Sequence, residues 1–226
     1  MFNHGFRSIE EEPVRPIRAD LWEGRKDTPY PGVTTHAYLW TGGPDGNVLF
    51  YGTQTDADFD EVERLGGVGH QYLSHRDEAG PMLARVAERF GARLHAPAQE
   101  LVEIGQHAHI DVPLGSRHVD ANGIEVIPTP GHSPGSTCYA VPGVNGQTYL
   151  FTGDTIVLAG DGTWVAGFLP SISAAPALAE SLRALAPLRP DLVISSACPG
   201  RSAVHAPGRQ WADCVEQARS RVEAVA

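Results

Sequence analysis

The chain predicts an α/β fold of two sheets with helices on their outer faces, on three observations. Strand-like and helix-like runs alternate from residue 36 to 97. From 101 to 152 only short strand-like runs occur, split by turn sequences, and helical periodicity returns after 171. The composition, 42% hydrophobic and 19% charged with 25 glycines and 18 prolines in 226 residues, suits short elements joined by many loops and not a helical bundle. At 24.2 kDa the chain is read as a single domain, 1-226, with residues 1-30 as an N-terminal arm or edge strand.

The elements follow in order. Residues 36–40 and 47–52 are strand-like and flank TGGPDG, which reads as a hairpin. Residues 56–67 read as a helix on the spacing of Phe59, Val62 and Leu65, stopped by Gly66 and Gly67. A short strand over 70–75 precedes a second amphipathic helix over 78–92, with Pro81 in its first turn, and a strand over 93–97 follows. Strands are expected at 107–110, 124–129, 136–142 and 147–153. A helix over 171–186 places Ile172, Leu178, Leu182 and Leu185 toward the core. A strand opening into a loop spans 191–200, and a helix over 209–225 follows.

Charge narrows the function. A net charge of −10 repels phosphate backbones and anionic membranes, so the expected partner is a small-molecule substrate or ligand, with no nucleic acid and no membrane. Oligomeric state does not follow from composition. Cys138, Cys198 and Cys214 form no CxxC and an odd set, which points to a reducing, cytoplasmic setting. The opening MFNHGFRSIEEEPV has no apolar core, so no signal peptide is expected.

Ionisable residues gather where strand-like runs end. They are His75, Asp77 and Glu78 in LSHRDEAG, His132 in TPGHSPGST, and Asp154 in YLFTGDT. Imidazole and carboxylate together suit zinc, and also iron or manganese. Each residue also has a plainer reading. Asp77 reads as a cap for the helix starting near Glu78, His132 as a hydrogen-bonded loop residue, and Asp154 as a turn former.

These pieces, in this order, resemble the metallo-β-lactamase superfamily, especially its glyoxalase-II-like hydrolases. The resemblance rests on the hairpin HAYLW…NVLFYG, then YLSHRDEAG, IPTPGHSPGSTCYAV, YLFTGDTI and DLVISSACPG, over about residues 33–200 and the final helix. TPGHSPGST followed by FTGD is its most specific part. The resemblance implies a four-layered αββα sandwich that holds one or two divalent metal ions and activates water for hydrolysis. It maps the metal role onto His75, Asp77, Glu78, His132 and Asp154, with Asp77 also orienting or deprotonating the water.

The family's His-x-His-x-Asp-His motif reads here as Leu73, Ser74, His75, Arg76, Asp77 and Glu78. Leu73 cannot ligate, and Glu78 offers oxygen in place of nitrogen. The last family histidine, expected near Ser195–Ala197, is missing. The family's Asp-x-Gly after the second strand is also altered, with Tyr51, Gly52 and Thr53 in that region. His75, His132 and Asp154 then suffice for one ion, while Asp77, Glu78 and Asp154 make an oxygen-rich second position. His70 and His205 are the histidines available to replace a lost ligand. Arg76 reads as a salt bridge or an anion contact, Trp164 and Phe168 as core or site mouth, Cys198 as a weakly supported nucleophile, and Cys138 as a small buried hydrophobe. Two functions follow: a metal-dependent hydrolase of an ester, thioester or similar bond, or an inactive small-molecule binding or structural protein on the same fold with a degenerate metal site.

Overall fold

The computed structural model describes residues 14–200, 202–207 and 210–224. Two sheets pack face to face. The first has seven strands in the order Arg15–Arg18, Leu21–Glu23, Tyr38–Trp40, Val48–Phe50, His70–Tyr72, Arg93–Pro97 and Val112–Leu114. Its first four strands pair antiparallel and its last four pair parallel. The second has six, in the order His118–Val119, Glu125–Pro128, Thr137–Pro142, Thr148–Gly153, Leu192–Ser195 and Val204–His205. Only its pairing of Thr148–Gly153 with Leu192–Ser195 is parallel.

Period-two alternation sorts side chains between the faces. Tyr38, Phe50 and Tyr72 of the first sheet meet Tyr139, Tyr149 and Phe151 of the second in the central core. Phe50 and Phe151 stack with ring centroids 3.8 Å apart. The intervening Leu39 and Leu49 face outward onto helix α1 (Phe59–Arg64) and helix α2 (Met82–Phe90). The short helix α3 (Leu101–Ile104) packs beside them through Ile104. Helices α4 (Ala175–Leu185) and α5 (Trp211–Glu223) cover the far face of the second sheet through Leu178, Leu182, Trp211 and Val215 against Leu150 and Val193. The layers run αββα, as expected. None of the helices described is long and apolar enough to cross a membrane.

Several elements differ from the sequence reading. Of the proposed arm, residues 1–13 lie outside the described residues, while Arg15–Arg18, Leu21–Glu23 and Asp27–Tyr30 are strands. The expected strand 107–110 is a turn and bend, and the strand lies at Val112–Leu114. The physical reason is α3: Ala108 and Ile110 pack against its core cluster instead of alternating along a sheet. The second helix starts at Met82 because Arg76–Glu78 form a separate 3₁₀ turn. Ile172 lies ahead of α4 and is 44% exposed, so it leaves the core face that Leu178, Leu182 and Leu185 share.

Tyr51 follows the strand Val48–Phe50 and ties the two sheets together. Its φ of 71° is left-handed, a conformation that costs a side-chain-bearing residue roughly 1–2 kcal/mol. The backbone turn sends the ring across the core. There the hydroxyl donates to the Ile194 carbonyl at 2.7 Å and accepts the Gly153 N–H at 3.0 Å. Tyr139 Oη donates in the opposite sense, to the Leu73 carbonyl at 2.5 Å, and the Thr137 N–H donates to the Ser74 carbonyl at 2.9 Å. All four bonds lie at the sheet edge that carries residues 73–78, 131–136 and 154.

A second buried polar group sits on the inner face of the first sheet. His70 Nδ1 and His95 Nε2 share a hydrogen bond of 2.9 Å, and the His95 ring stacks on Tyr72. Burial first, then the charges of His70 and Arg93, lower the His95 pKa to about 3, with Asp111 opposing. The native state therefore binds fewer protons here than the unfolded chain, whose histidine titrates near 6.5. Stability from this residue is complete above pH 6.5 and is lost as pH falls toward 3, at up to about 1.4 kcal/mol per pH unit.

Two outcomes are expected. Urea unfolding of Tyr51→Phe should show a loss of about 1–3 kcal/mol, because the buried Gly153 N–H loses its partner and the Ile194 carbonyl keeps only its longer bond from the Thr152 hydroxyl. Between pH 6.5 and 5 the unfolding free energy of the unaltered protein should fall, with a shallower slope for His95→Gln; equal slopes would contradict the assignment.

Candidate metal centre

Four loops converge at the edge held by Tyr51 and Tyr139. The first leaves the strand His70–Tyr72 and carries His75 and the 3₁₀ turn Arg76–Glu78. The second, residues 129–136, is closed by the Thr129 N–H on the Ser136 carbonyl and carries His132. The third follows Thr148–Gly153 and places Asp154. The fourth follows Leu192–Ser195 and places Ser196, whose N–H donates to the Gly153 carbonyl.

His75, Asp77 and His132 each bring a ligand atom within 4.8 Å of the others. The two imidazole rings lie edge to face, with centroids 4.8 Å apart. His132 is buried, and its Nδ1 donates to the Gly167 carbonyl at 2.6 Å. In a neutral imidazole that bond leaves Nε2 as the lone-pair nitrogen. Nε2 has no hydrogen-bond partner among the described residues and faces Asp77 Oδ2 and Asp154 Oδ2, each at 3.8 Å. A buried lone pair set against two carboxylates is unfavourable by itself and becomes favourable around a cation. Two imidazoles with one or two carboxylates suit zinc, iron or manganese. The residues present therefore fit a divalent ion.

Asp154 joins from the side. Its Oδ2 lies 3.7 Å from His75 Nε2, while its Oδ1 accepts the Ser196 hydroxyl at 2.8 Å. Ser196 thus stands in the region where the missing histidine was expected, holding a carboxylate in place. Glu78 turns away from His132. Its oxygens accept the Ser74 N–H at 2.8 Å and the Ser74 hydroxyl, and Oε1 lies 3.2 Å from His75 Nδ1. It orients the His75 ring through the nitrogen that faces away from Asp154. Burial lowers the His75 pKa, but the Glu78 charge and hydrogen bond, then Asp154 and Asp77, outweigh it and raise the value to about 9. Asp77 is half-exposed, with a side-chain accessibility of 51%, at the mouth.

Other candidates lie elsewhere. Leu73 is fully buried in the apolar cluster with Leu83 and Ile104. His70 pairs with His95, and His205 sits on an edge strand with its ring near Trp164, so neither joins the three-residue group. Trp164 packs on Trp211 in the core, and Phe168 packs beside the same cluster. Arg76 pairs with Glu103 at 3.2 Å. Cys198 is buried, and burial raises its thiol pKa; Cys138 is raised to about 11 by burial. All three cysteines are unpaired.

Sequence reasoning missed Gly167 and Ser196. Gly167 gives its carbonyl to His132 and its N–H to the Asp154 carbonyl at 3.0 Å. Nothing in DGTWVAGFLP signals that role, since it is carried by main-chain atoms.

Known proteins share this architecture. The family model described as the metallo-beta-lactamase superfamily matches residues 22–197. A solved metallo-beta-lactamase from Pontibacter korlensis superposes with a TM-score of 0.69 at 16% identity, covering 93% of this chain and 98% of its own. A mono-zinc form of a Pseudomonas aeruginosa metallo-beta-lactamase gives 0.72 at 14%, covering 95% and 97%. A Cronobacter sakazakii metallo-beta-lactamase with an HARLDQ motif gives 0.63 at 18%, covering 88% and 93%. No curated protein matches with significance.

A methyl group on Gly167 would sit 2.2 Å from the Asp154 carbonyl and 3.1 Å from His132 Nδ1. Gly167→Ala should therefore weaken zinc binding about 10–100-fold, read by competition with a chromophoric chelator. An unchanged affinity would show that this segment does not orient His132.

Proposed function

From the metallo-beta-lactamase superfamily, to which this chain belongs, we propose that the protein is a metal-dependent hydrolase of an ester, thioester or similar bond in a small-molecule substrate. The observation that carries this is the unpartnered Nε2 of buried His132, aimed at Asp77 and Asp154 beside His75. His75, His132 and Asp77, with Asp154 at their side, would hold one divalent ion, zinc foremost, with iron or manganese as alternatives. An ion held there would supply Lewis acidity toward a carbonyl oxygen and a bound water.

The residues divide the remaining work. Glu78 and Ser74 fix the His75 ring, and the Gly167 carbonyl fixes that of His132. Ser196 holds one oxygen of Asp154 so that the other faces the histidines. Asp77, the most exposed of the group, would orient the attacking water and take its proton. Glu78 is committed to Ser74 and His75, and Ser196 to Asp154, which supports one ion in place of two. The net charge of −10 and the three unpaired cysteines support a cytoplasmic protein that binds neither nucleic acid nor membrane.

The replacement of one family histidine by buried Leu73, and the absence of another, favours a second reading as a binding or structural module. Elemental mass spectrometry on protein purified without added metal or chelator separates the two. The hydrolase reading expects about one equivalent of zinc, iron or manganese. It also expects His132→Ala and Asp154→Ala to lose both the metal and any turnover of an ester and thioester panel. Only traces of metal, unchanged after incubation with each ion and desalting, would overturn it in favour of the module.

A further inference from the structure

We infer that Glu100 is a positioning residue of the metal centre, its buried carboxylate bracketing the two histidine-bearing loops by accepting one main-chain N–H from each. The inference rests on the metal-centre reading. Glu100 is fully buried at the end of the 3₁₀ turn Ala98–Glu100, just before α3. Its Oε2 accepts the Arg76 N–H at 2.7 Å, and its Oε1 accepts the Gly135 N–H at 3.1 Å. Arg76 lies between His75 and Asp77, and Gly135 lies three residues after His132. One side chain thus spans the gap between segments more than fifty residues apart in sequence.

The residue type follows from the task. A carboxylate offers two acceptor oxygens, whereas an amide offers one acceptor and an NH₂ that would oppose a second N–H. A buried carboxylate is costly unless charge-assisted hydrogen bonds compensate it, so an acid here must be held by the bonds it makes. Packing enforces the bracket. A methyl group on Gly135 would sit 2.7 Å from Glu100 Cγ, so this loop rests on the acid's stem with no room for a side chain. The Arg76 guanidinium adds a second tie to the same segment through Glu103. Ligand geometry tolerates displacements of only about 0.5 Å. Releasing either N–H frees a loop that carries ligands.

The test uses the full chain, with Co(II) as the probe. Purified metal-free protein, Glu100→Gln and Gly135→Ala are titrated with Co(II) and followed by visible absorption. Thermal unfolding and amide hydrogen exchange are measured on the same metal-free samples. The inference expects the Gln variant to fold, with faster exchange at Arg76 or Gly135. It also expects Co(II) affinity about 10–100-fold weaker than in the unaltered protein, with a changed Co(II) spectrum. Gly135→Ala should shift the spectrum in the same direction, and it carries the test if the Gln variant does not fold. Affinity and spectrum unchanged in folded variants, with the amides exposed, would make Glu100 merely structural and overturn the inference alone. Failure of the unaltered protein to bind Co(II) would overturn the metal-centre reading and the positioning role with it.

Discussion

The hydroxyl of Tyr51 is the joint on which this architecture turns. Two sheets that meet only through apolar side chains are free to slide, because apolar burial has no direction. Hydrogen bonds do have direction. Tyr51 spans from the end of one sheet to Ile194 and Gly153 of the other, and Tyr139 returns the contact to Leu73. With the edge locked in this way, the loops bearing His75, His132 and Asp154 have one relative placement. The left-handed backbone at Tyr51 is the local cost of sending that ring across the core.

Around the centre, polar groups are satisfied in pairs, each leaving one atom over. His132 uses Nδ1 on Gly167 and keeps Nε2; Asp154 uses Oδ1 on Ser196 and keeps Oδ2. Glu78 occupies the Nδ1 side of His75, leaving Nε2 toward Asp154. The leftover atoms converge. That convergence is the observation on which the metal-centre reading rests.

The departures from the family pattern are consistent with one another. Leu73 is absorbed by an apolar cluster, Glu78 becomes a support for His75, and Ser196 becomes a support for Asp154. Two of these three residues orient a neighbour: Glu78 contacts His75 and Ser196 contacts Asp154.

Much of this was determined by the sequence alone. Alternation and helical spacing pointed to two sheets with helices outside them, and the family resemblance implied the αββα layering. The placement of His75, Asp77, Glu78, His132 and Asp154 at strand ends marked the candidate residues, and the loss or replacement of three family histidines marked the departure. Tertiary structure decided the rest. Whether Glu78 ligates or supports depends on a side-chain rotamer, set by Ser74 and His75. The roles of Gly167 and Glu100 rest on main-chain carbonyls and N–H groups, which every residue possesses and no sequence pattern distinguishes. The strand expected at 107–110 gave way to a turn because α3 offered its apolar residues a better partner. Local pattern states which atoms seek burial or a bond, and only the folded chain states which partner is within reach.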